Sequence, residues 1–282
     1  MEKALKKYFP IFVLPTLAAF VVAFLIPFVM GVWLSFCQFT TLTDAQFVGV
    51  QNYITAFTRN RDFLNALWFT LKFTVVSVVT VNLFAFALAL LLTRAIPGRN
   101  LFRTVFFMPN LIGGIVLCYI WQLIINGILA RFLGVDITFA ARYGFWGLVA
   151  VMNWQMIGYM MIIYIAGIQN IPGDLTEAAA IDGAGPWQTL RHVTVPMVMP
   201  SVTICSFLTL TNSFKLFDQN FALTGGAPAR QTQMLALDIY NTFYSRVGSE
   251  GEGQAKAVVF FLLVAAIAFG QLRLTRGKEV EG

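Results

Sequence analysis

Residues 66–92 read ALWFTLKFTVVSVVTVNLFAFALALLL, and Lys72 carries the only charge in this stretch. An α-helix needs roughly 20 apolar residues to cross the hydrocarbon core of a bilayer, which is about 30 Å thick. Helix is also the open structure that satisfies its own backbone hydrogen bonds in lipid. This stretch is therefore predicted to be a transmembrane helix.

Five further stretches meet the same criterion, so the chain is predicted to be an all-α polytopic membrane protein with about six transmembrane helices. The six predicted spans are residues 11–36, 66–92, 104–125, 145–169, 197–217 and 257–274. The first one follows three lysines, as a secretory signal would, but it exceeds the roughly 7–15 apolar residues of a signal core. We therefore expect a retained span, and one transmembrane domain over residues 1–282.

Composition also indicates a bilayer protein. Of the 282 residues, 58% are hydrophobic and 11% are charged, which reverses the balance found in soluble domains. The net charge of +6 does not indicate a nucleic-acid partner, because the Lys and Arg residues are scattered through short loops and form no basic stripe. The predicted surroundings are lipid.

The distribution of basic residues near the span ends predicts the orientation. With the N-terminus inside, the cytoplasmic segments hold ten Lys and Arg residues and the outer loops hold seven. Both termini are then cytoplasmic, and so is the loop at residues 172–196, which follows the fourth span.

This cytoplasmic loop contains a compact helical pattern, IPGDLTEAAAIDGAGPW at residues 171–187. Asp174 and Glu177 fit a capping box, and three alanines then favour helix. Gly183 and Gly185-Pro186 end the helix and lead into a second one. A helical turn between two spans has a shape that can dock into a groove on a cytoplasmic partner. Glu177 can also serve only as a cap, and the two roles are compatible.

At residues 177–184 the sequence E-A-A-A-I-D-G-A resembles the E-A-A-x-x-D-G-A signature of binding-protein-dependent ABC importer permeases. Other stretches are similar to the carbohydrate-uptake branch, and to its maltose-F-type subunit in particular. They are GVQNY at 49–53, RTVFFMP at 103–109, FD at 217–218 and LTGGAP at 223–228. The resemblance covers nearly the whole chain, although Ala227 stands where members usually have a third glycine.

The resemblance implies the fold of a type I ABC importer transmembrane domain, in which this loop is the helix that enters a cleft of the ATPase. The residues implied in ATPase coupling are Glu177, Ala178, Ala179, Asp182, Gly183 and Ala184. The implied partners are a second homologous permease subunit, an ATP-binding subunit dimer and an external sugar-binding protein. ATP and Mg²⁺ would bind the partner ATPase, because this chain has no GxxxxGK[ST] motif, and no cofactor is expected in it. The implied location is the bacterial cytoplasmic (inner) membrane.

Polar side chains inside spans are costly and often mark a substrate path. The candidates for lining such a path are Asn153, Gln155, Tyr159, Asn212, Lys215 and Asp218. Amide groups combined with aromatic faces suit a carbohydrate. Simpler interpretations stay open: Asn82 can bridge helices, Lys72 can extend toward the membrane surface, and Lys215 can pair with Asp218.

The predicted function is a permease subunit of an ATP-driven carbohydrate importer, with an oligosaccharide as the substrate by resemblance. A phosphorylated polyol is an alternative if Lys72 and Lys215 face one cavity. An ion-coupled secondary transporter would need carboxylates at mid-membrane. A membrane enzyme would need a catalytic dyad or a metal cluster, and one histidine with three dispersed cysteines provides neither. No catalytic or metal-binding residue is predicted.

Overall fold

The computed structural model describes residues 9, 13–58, 61–245 and 247–276. In chain order the described helices are α1 (Val13–Leu34), α2 (Gln51–Thr58), α3 (Asp62–Leu92), α4 (Arg99–Phe107), α5 (Gly114–Leu133), α6 (Ala141–Gln169), α7 (Gly173–Ile181), α8 (Pro186–Met197), α9 (Met199–Phe214), α10 (Asp218–Leu223), α11 (Leu235–Ser245) and α12 (Glu250–Arg276). Two short strands, β1 (Cys37–Gln38) and β2 (Gln46–Phe47), lie between α1 and α2. Backbone contacts divide the chain into two compact units, Met1–Phe63 with Ile239–Leu262 and Leu64–Asp238 with Leu263–Gly282.

Within the described residues, five helices are long and apolar enough to cross a membrane: α1, α3, α5, α6 and α12. The pair α8 and α9, which is bent by 67°, brings the number to six if the two helices are taken as one span. The predicted all-α architecture with about six spans is confirmed. The chain is a multi-pass membrane protein.

The predicted boundaries of the third span were wrong. Residues 104–107 belong to the separate helix α4, a 3₁₀ turn follows at Met108–Leu111, and α5 begins only at Gly114. The backbone leaves the helix here because Pro109 has no N–H to donate and Ile112 is extended, with φ −89° and ψ 132°. An apolar run that continues across a proline therefore does not imply one continuous helix.

The fifth span is also shorter than predicted and is bent. Its straight part, α9, runs from Met199 to Phe214 rather than over residues 197–217. Val198, with φ −91° and ψ 1°, interrupts the helix between Pro196 and Pro200, where each proline removes one backbone hydrogen bond. The second, fourth and sixth spans extend past their predicted starts to Asp62, Ala141 and Glu250. Residues 11 and 12 of the first predicted span lie outside the described residues.

The first unit contains the hairpin of β1 and β2, which pair antiparallel with Cys37 opposite Phe47. Asp44 closes its turn, because its Oδ1 accepts hydrogen bonds from the N–H groups of Thr40 at 3.0 Å and Thr41 at 2.9 Å. The Thr40 hydroxyl, followed by these N–H groups, lowers the pKa of Asp44 to about 2. This carboxylate therefore stays ionised at neutral pH.

The core of the second unit surrounds α6. In its most apolar window 67% of the residues are buried, against none in the described windows of α1 and α12. Helix α4 approaches α6 at Gly158, where an added Cβ would lie 1.8 Å from the Phe106 carbonyl oxygen. Only glycine fits at that approach, so this position fixes how closely the two helices pack.

Polar side chains link α3, α6 and α9 inside this core. The Tyr164 hydroxyl donates to Asn82 Oδ1 at 2.8 Å, and Asn82 Nδ2 lies 3.5 Å from Thr209 Oγ1. The prediction that Asn82 bridges neighbouring helices is confirmed. Lys72 lies elsewhere on α3, with its Nζ 5.3 Å from the centroid of the Trp68 ring.

Candidate functional site

The predicted cytoplasmic loop begins with α7, whose first turn differs from the prediction. The helix starts at Gly173, with Pro172 at the N-cap and no side-chain cap in the described turn. Asp174 therefore lies inside the first turn, and the proposed capping box with Glu177 was wrong. Pro172 suits the N-cap because its fixed φ, here −58°, leads the chain into the helix and because its missing N–H needs no partner there.

The last three letters of the E-A-A-A-I-D-G-A motif form a specific helix end. Gly183 has a φ of +78°, and its N–H donates to the Ala180 carbonyl at 3.1 Å. The Ala184 N–H donates to the Ala179 carbonyl at 2.9 Å. These two bonds make a Schellman motif, which requires a left-handed residue where the helix ends. Glycine takes that conformation at little cost, so the motif turns the chain sharply after nine helical residues.

The surface of α7 is open, since none of its nine residues, all of them described, is buried. Of the six residues implied in coupling, Glu177, Ala178, Asp182 and Gly183 are exposed, and Ala179 and Ala184 are half-buried. Large apolar side chains project beside them: Ile181 is 86% exposed and Trp187 is 72% exposed. An apolar surface with a polar rim is typical of a site that another protein covers.

A second helical segment connects this surface to the membrane core. The Gly185 N–H donates to Gln188 Oε1 at 2.8 Å at the start of α8, and the bend at Val198 then leads into α9. Helix α9 has 16 residues, which corresponds to about 24 Å at a rise of 1.5 Å per residue. The loop lies at one end of this rigid helix.

A polar cavity of about 280 Å³ lies at the other end of α9. Its lining residues are Asn110, Met152, Gln155, Met156, Asn212, Lys215, Leu216, Phe217, Asp218 and Gln219. The cavity thus brings together four of the six predicted lining residues: Gln155, Asn212, Lys215 and Asp218. Its volume is close to the lower limit of roughly 300–1,000 Å³ for small-molecule sites.

Three amide side chains that line this cavity are held in place by hydrogen bonds. Gln219 Nε2 donates to Gln155 Oε1 at 2.9 Å, and Gln155 Nε2 lies 3.4 Å from the Ile112 carbonyl oxygen. Asn212 Nδ2 donates to the Leu208 carbonyl at 2.9 Å. This bond uses one amide hydrogen of Asn212 within its own helix. The Oδ1 atom is a separate group and stays available as an acceptor.

Two opposite charges line the same cavity without pairing, since no ion pair between Lys215 and Asp218 occurs in the described structure. Lys215 caps the C-terminus of α9, while Asp218 opens α10. Asp218 also lies against the start of α5, where a Cβ on Gly114 would be 3.3 Å from its Oδ2. A cation at a helix C-terminus and an anion at a helix N-terminus are each stabilised by the helix dipole. Each charge therefore remains available to a ligand.

Two predicted lining residues lie outside this cavity. Asn153 points toward α3, where its Nδ2 donates to Thr80 Oγ1 at 2.9 Å. Tyr159 lies one helical turn after Gln155, and its ring centroid is 6.4 Å from that of Phe107. Lys72 is likewise not among the lining residues.

Asn110 and Gln219 also line the cavity, although they were not predicted from the sequence. Gln219 lies outside every predicted span, whereas Asn110 lies inside the predicted third span, residues 104–125. Asn110 follows Pro109 in the 3₁₀ turn, and Gln219 follows the predicted fifth span. An amide next to a break between two apolar runs is a signal that would have found Asn110.

Comparison with known proteins identifies the family. The sequence pattern of the family described as binding-protein-dependent transport system inner membrane component matches residues 85–275. The chain belongs to this family. It is therefore a transport permease and not a catalytic enzyme.

Two similar proteins are sugar permeases by name. The probable starch degradation products transport system permease protein AmyD of Thermoanaerobacterium thermosulfurigenes is 44% identical over 279 residues, which cover 96% of this chain and 94% of that protein. The multiple sugar-binding transport system permease protein MsmF of Streptococcus mutans is 32% identical over 290 residues, which cover 99% of each.

A solved structure has the same fold. It is the bacterial alginate ABC transporter in complex with an alginate pentasaccharide-bound periplasmic protein, with a TM-score of 0.83 and 18% sequence identity. The match covers 100% of this chain and 99% of that chain. The fold is accordingly that of an ABC importer transmembrane domain, as the sequence predicted.

Proposed function

We propose that this chain is one of two permease subunits of an ATP-driven carbohydrate importer, and that α7 couples it to a separate ATPase. The exposed turn of residues 177–184 carries this proposal. Its glycine-capped end presents a short helix with no buried residue, next to two exposed apolar side chains, Ile181 and Trp187. Such a projection is costly to leave in water and is well shaped for a groove on a partner.

The cavity at the far end of α9 is the proposed site for the sugar. Hydroxyl groups need donors and acceptors together, and the Asn212 amide, Lys215 and Asp218 provide both kinds. Phe217 adds an aromatic face, which can cover the C–H surface of a sugar ring. The relatives named for starch degradation products and multiple sugars favour an oligosaccharide.

The proposed mechanism transmits movement along α9. ATP and Mg²⁺ bind a pair of ATPase subunits in the cytoplasm, and closure of that pair moves α7. Since a rigid helix of about 24 Å joins the loop to the cavity, the loop and the cavity wall move together, and access alternates. A sugar-binding protein delivers the substrate from outside, and both termini of this chain lie in the cytoplasm.

The alternatives have less support. A phosphorylated polyol would be favoured if Lys72 and Lys215 lined one cavity, but Lys72 is directed toward Trp68 and does not line it. An ion-coupled transporter would not require a binding protein, whereas the family of this chain is defined by one.

The coupling role is tested by Gly183→Asp and Glu177→Ala in the importer reconstituted in proteoliposomes. Aspartate at Gly183 is strained by about 1–2 kcal/mol at a φ of +78°, which distorts the helix end. Alanine at Glu177 preserves the helix and removes only the exposed carboxylate. We expect both variants to reduce sugar-stimulated ATP hydrolysis or subunit assembly.

The matched control is Gly134→Asp. Gly134 also has a positive φ, +68°, at the end of α5, with nothing within 4 Å of an added Cβ. Gly134→Asp introduces the same backbone strain and the same charge away from the loop. Sugar-stimulated ATP hydrolysis by this variant should therefore stay close to that of the wild type. Normal sugar stimulation in both loop variants would remove the coupling role.

A further inference from the structure

A second cavity, of about 670 Å³, lies at the base of the loop at residues 172–196, which is called the coupling loop below. Its walls come from the ends of two spans, α3 and α6, and from the chain around the start of α8. The ends of transmembrane helices lie at the level where hydrocarbon meets lipid headgroups. The cavity therefore opens at the membrane surface, and it is separate from the polar cavity at the far end of α9.

The lining of this cavity has an apolar part and a part that donates hydrogen bonds. Leu90, Ile168 and Leu190 supply the apolar part. The donors are the Arg94 guanidinium and the Trp187 indole, together with the Thr194 hydroxyl. The lining contains no Asp or Glu, so a cation faces this space without a carboxylate beside it.

These donors also have no hydrogen-bond partner among the described residues. Within the part of the chain that the structure describes, the side chains of Arg94, Trp187 and Thr194 make no hydrogen bond and no ion pair. Arginine is well suited to bind a phosphate oxygen, and tryptophan is enriched at the headgroup level of membranes. The donor set fits a monoanionic phosphate ester.

We propose that this cavity binds an anionic phospholipid, with its phosphate against Arg94 and its acyl chains over Leu90 and Ile168. The volume far exceeds the roughly 30 Å³ that one water molecule occupies, so there is room for a headgroup and the start of its chains. Free phosphate would leave the apolar wall exposed to water, whereas a lipid covers both parts. Basic pockets between transmembrane helices are known to bind such headgroups.

A lipid at this place would contact the moving part of the protein. Trp187 follows the Gly183 turn and lies in the first turn of α8, while Arg94 lies just beyond the end of α3. A headgroup held between them ties the coupling loop to a transmembrane helix. The lipid proposal requires only that the chain spans a bilayer. It is therefore independent of the proposal that the substrate is a carbohydrate.

The test uses the chain, with the subunits that purify with it, in nanodiscs of phosphatidylcholine that contain 20% brominated lipid. Bromine quenches nearby tryptophan fluorescence, and the Trp187 contribution is the difference between the wild type and Trp187→Phe. This subtraction is needed because the chain has six tryptophans. Brominated phosphatidylglycerol is compared with brominated phosphatidylcholine.

We expect phosphatidylglycerol to quench the Trp187 component more strongly than phosphatidylcholine does. Arg94→Gln should weaken this preference roughly fivefold, as expected for the loss of one basic contact to an anionic lipid. Arg94→Lys should retain most of it. The matched control is Arg99→Gln, which removes another exposed arginine that does not line the cavity and should change little.

Three results would overturn the proposal. Equal quenching by the two lipids would show that the site does not recognise an anion. Loss of the preference on addition of inorganic phosphate, with sodium sulfate as the ionic-strength control, would assign the cavity to free phosphate. No quenching of Trp187 by either lipid would mean that a protein subunit fills the cavity.

Discussion

The opposite charges of the polar cavity, Lys215 and Asp218, form no ion pair with each other in the described structure, and each lies at a helix end. A charge near the bilayer normally requires a partner. Here the helix dipoles stabilise the two charges in place of a charged partner. Lys215 lies at the C-terminus of α9, and Asp218 lies beside the N-terminus of α5. In the proposed function, these two side chains bind the hydroxyl groups of a sugar.

Asp218→Asn tests this account of the cavity. The change retains the size of the side chain and removes the charge-assisted hydrogen bond, which contributes about 1.5–3 kcal/mol. We expect the KM for sugar uptake in proteoliposomes to rise by roughly tenfold or more, while the melting temperature changes little. Asp136→Asn is the matched control, because that exposed carboxylate accepts hydrogen bonds from the N–H and the hydroxyl of Thr138 within its own turn, away from the cavity. An unchanged KM in Asp218→Asn would contradict the account.

For single residues, the sequence predicts a role in the cavity only where a polar residue stands out from apolar neighbours. Gln155 and Asn212 are recognisable because they interrupt apolar runs. Asn153 is just as conspicuous but faces Thr80 on α3. The reason is that the sequence does not reveal which side of a largely buried helix lines a cavity, and α6 is buried on most sides.

Among the helices, the packing of α4 against α6 depends on the close approach of the Phe106 backbone to Gly158. A methyl group there would overlap the Phe106 carbonyl, a backbone atom that no side-chain rotation can move. We expect Gly158→Ala to destabilise the protein by about 1–3 kcal/mol, seen as a lower melting temperature in detergent. In Gly127→Ala, where nothing lies within 4 Å of the new Cβ, stability should be unchanged or higher. Equal melting of the two variants would contradict the packing described.

The contact between α3 and α6 through Asn82 and Tyr164 gives a second prediction for the elements. Hydrogen bonds between transmembrane helices contribute about 0.6 kcal/mol on average and reach about 1.7. Asn82→Leu and Tyr164→Phe should each lower stability, and the double variant should lose less than the sum of the two. Chemical unfolding in mixed micelles measures the coupling. Strict additivity would mean that the 2.8 Å contact contributes nothing.

The elements also show where counting apolar residues succeeds and where it fails. It finds each span because burial in lipid demands a long apolar helix. It misses the breaks at Pro109 and Val198, since one proline hardly changes the average hydropathy of a window of about 20 residues. The short helices α10 and α11 were also missed because they lie in a segment that is too polar to be counted as a span.

For the whole molecule, the large apolar surface is the main physical constraint. In the apolar window of α1 no residue is buried within the described structure, so this helix must be covered by lipid or by another subunit. That requirement agrees with a permease that works in an assembly. The motif at residues 177–184 predicted the family by resemblance, and the structure explains one of its residues, Gly183, which forms the left-handed turn at the helix end. The identity of the sugar depends on a cavity whose walls come from distant parts of the chain.

The most direct test of the central claim is affinity purification of the tagged chain from the membranes of its host, followed by an assay of ATP hydrolysis in the eluate. We predict that an ATP-hydrolysing subunit elutes with the chain and that its activity rises when the sugar-loaded external binding protein is added. Gly183→Asp should reduce that rise, while Gly134→Asp should leave it intact. A folded chain that elutes without any nucleotide-hydrolysing subunit, and still transports sugar, would contradict the account.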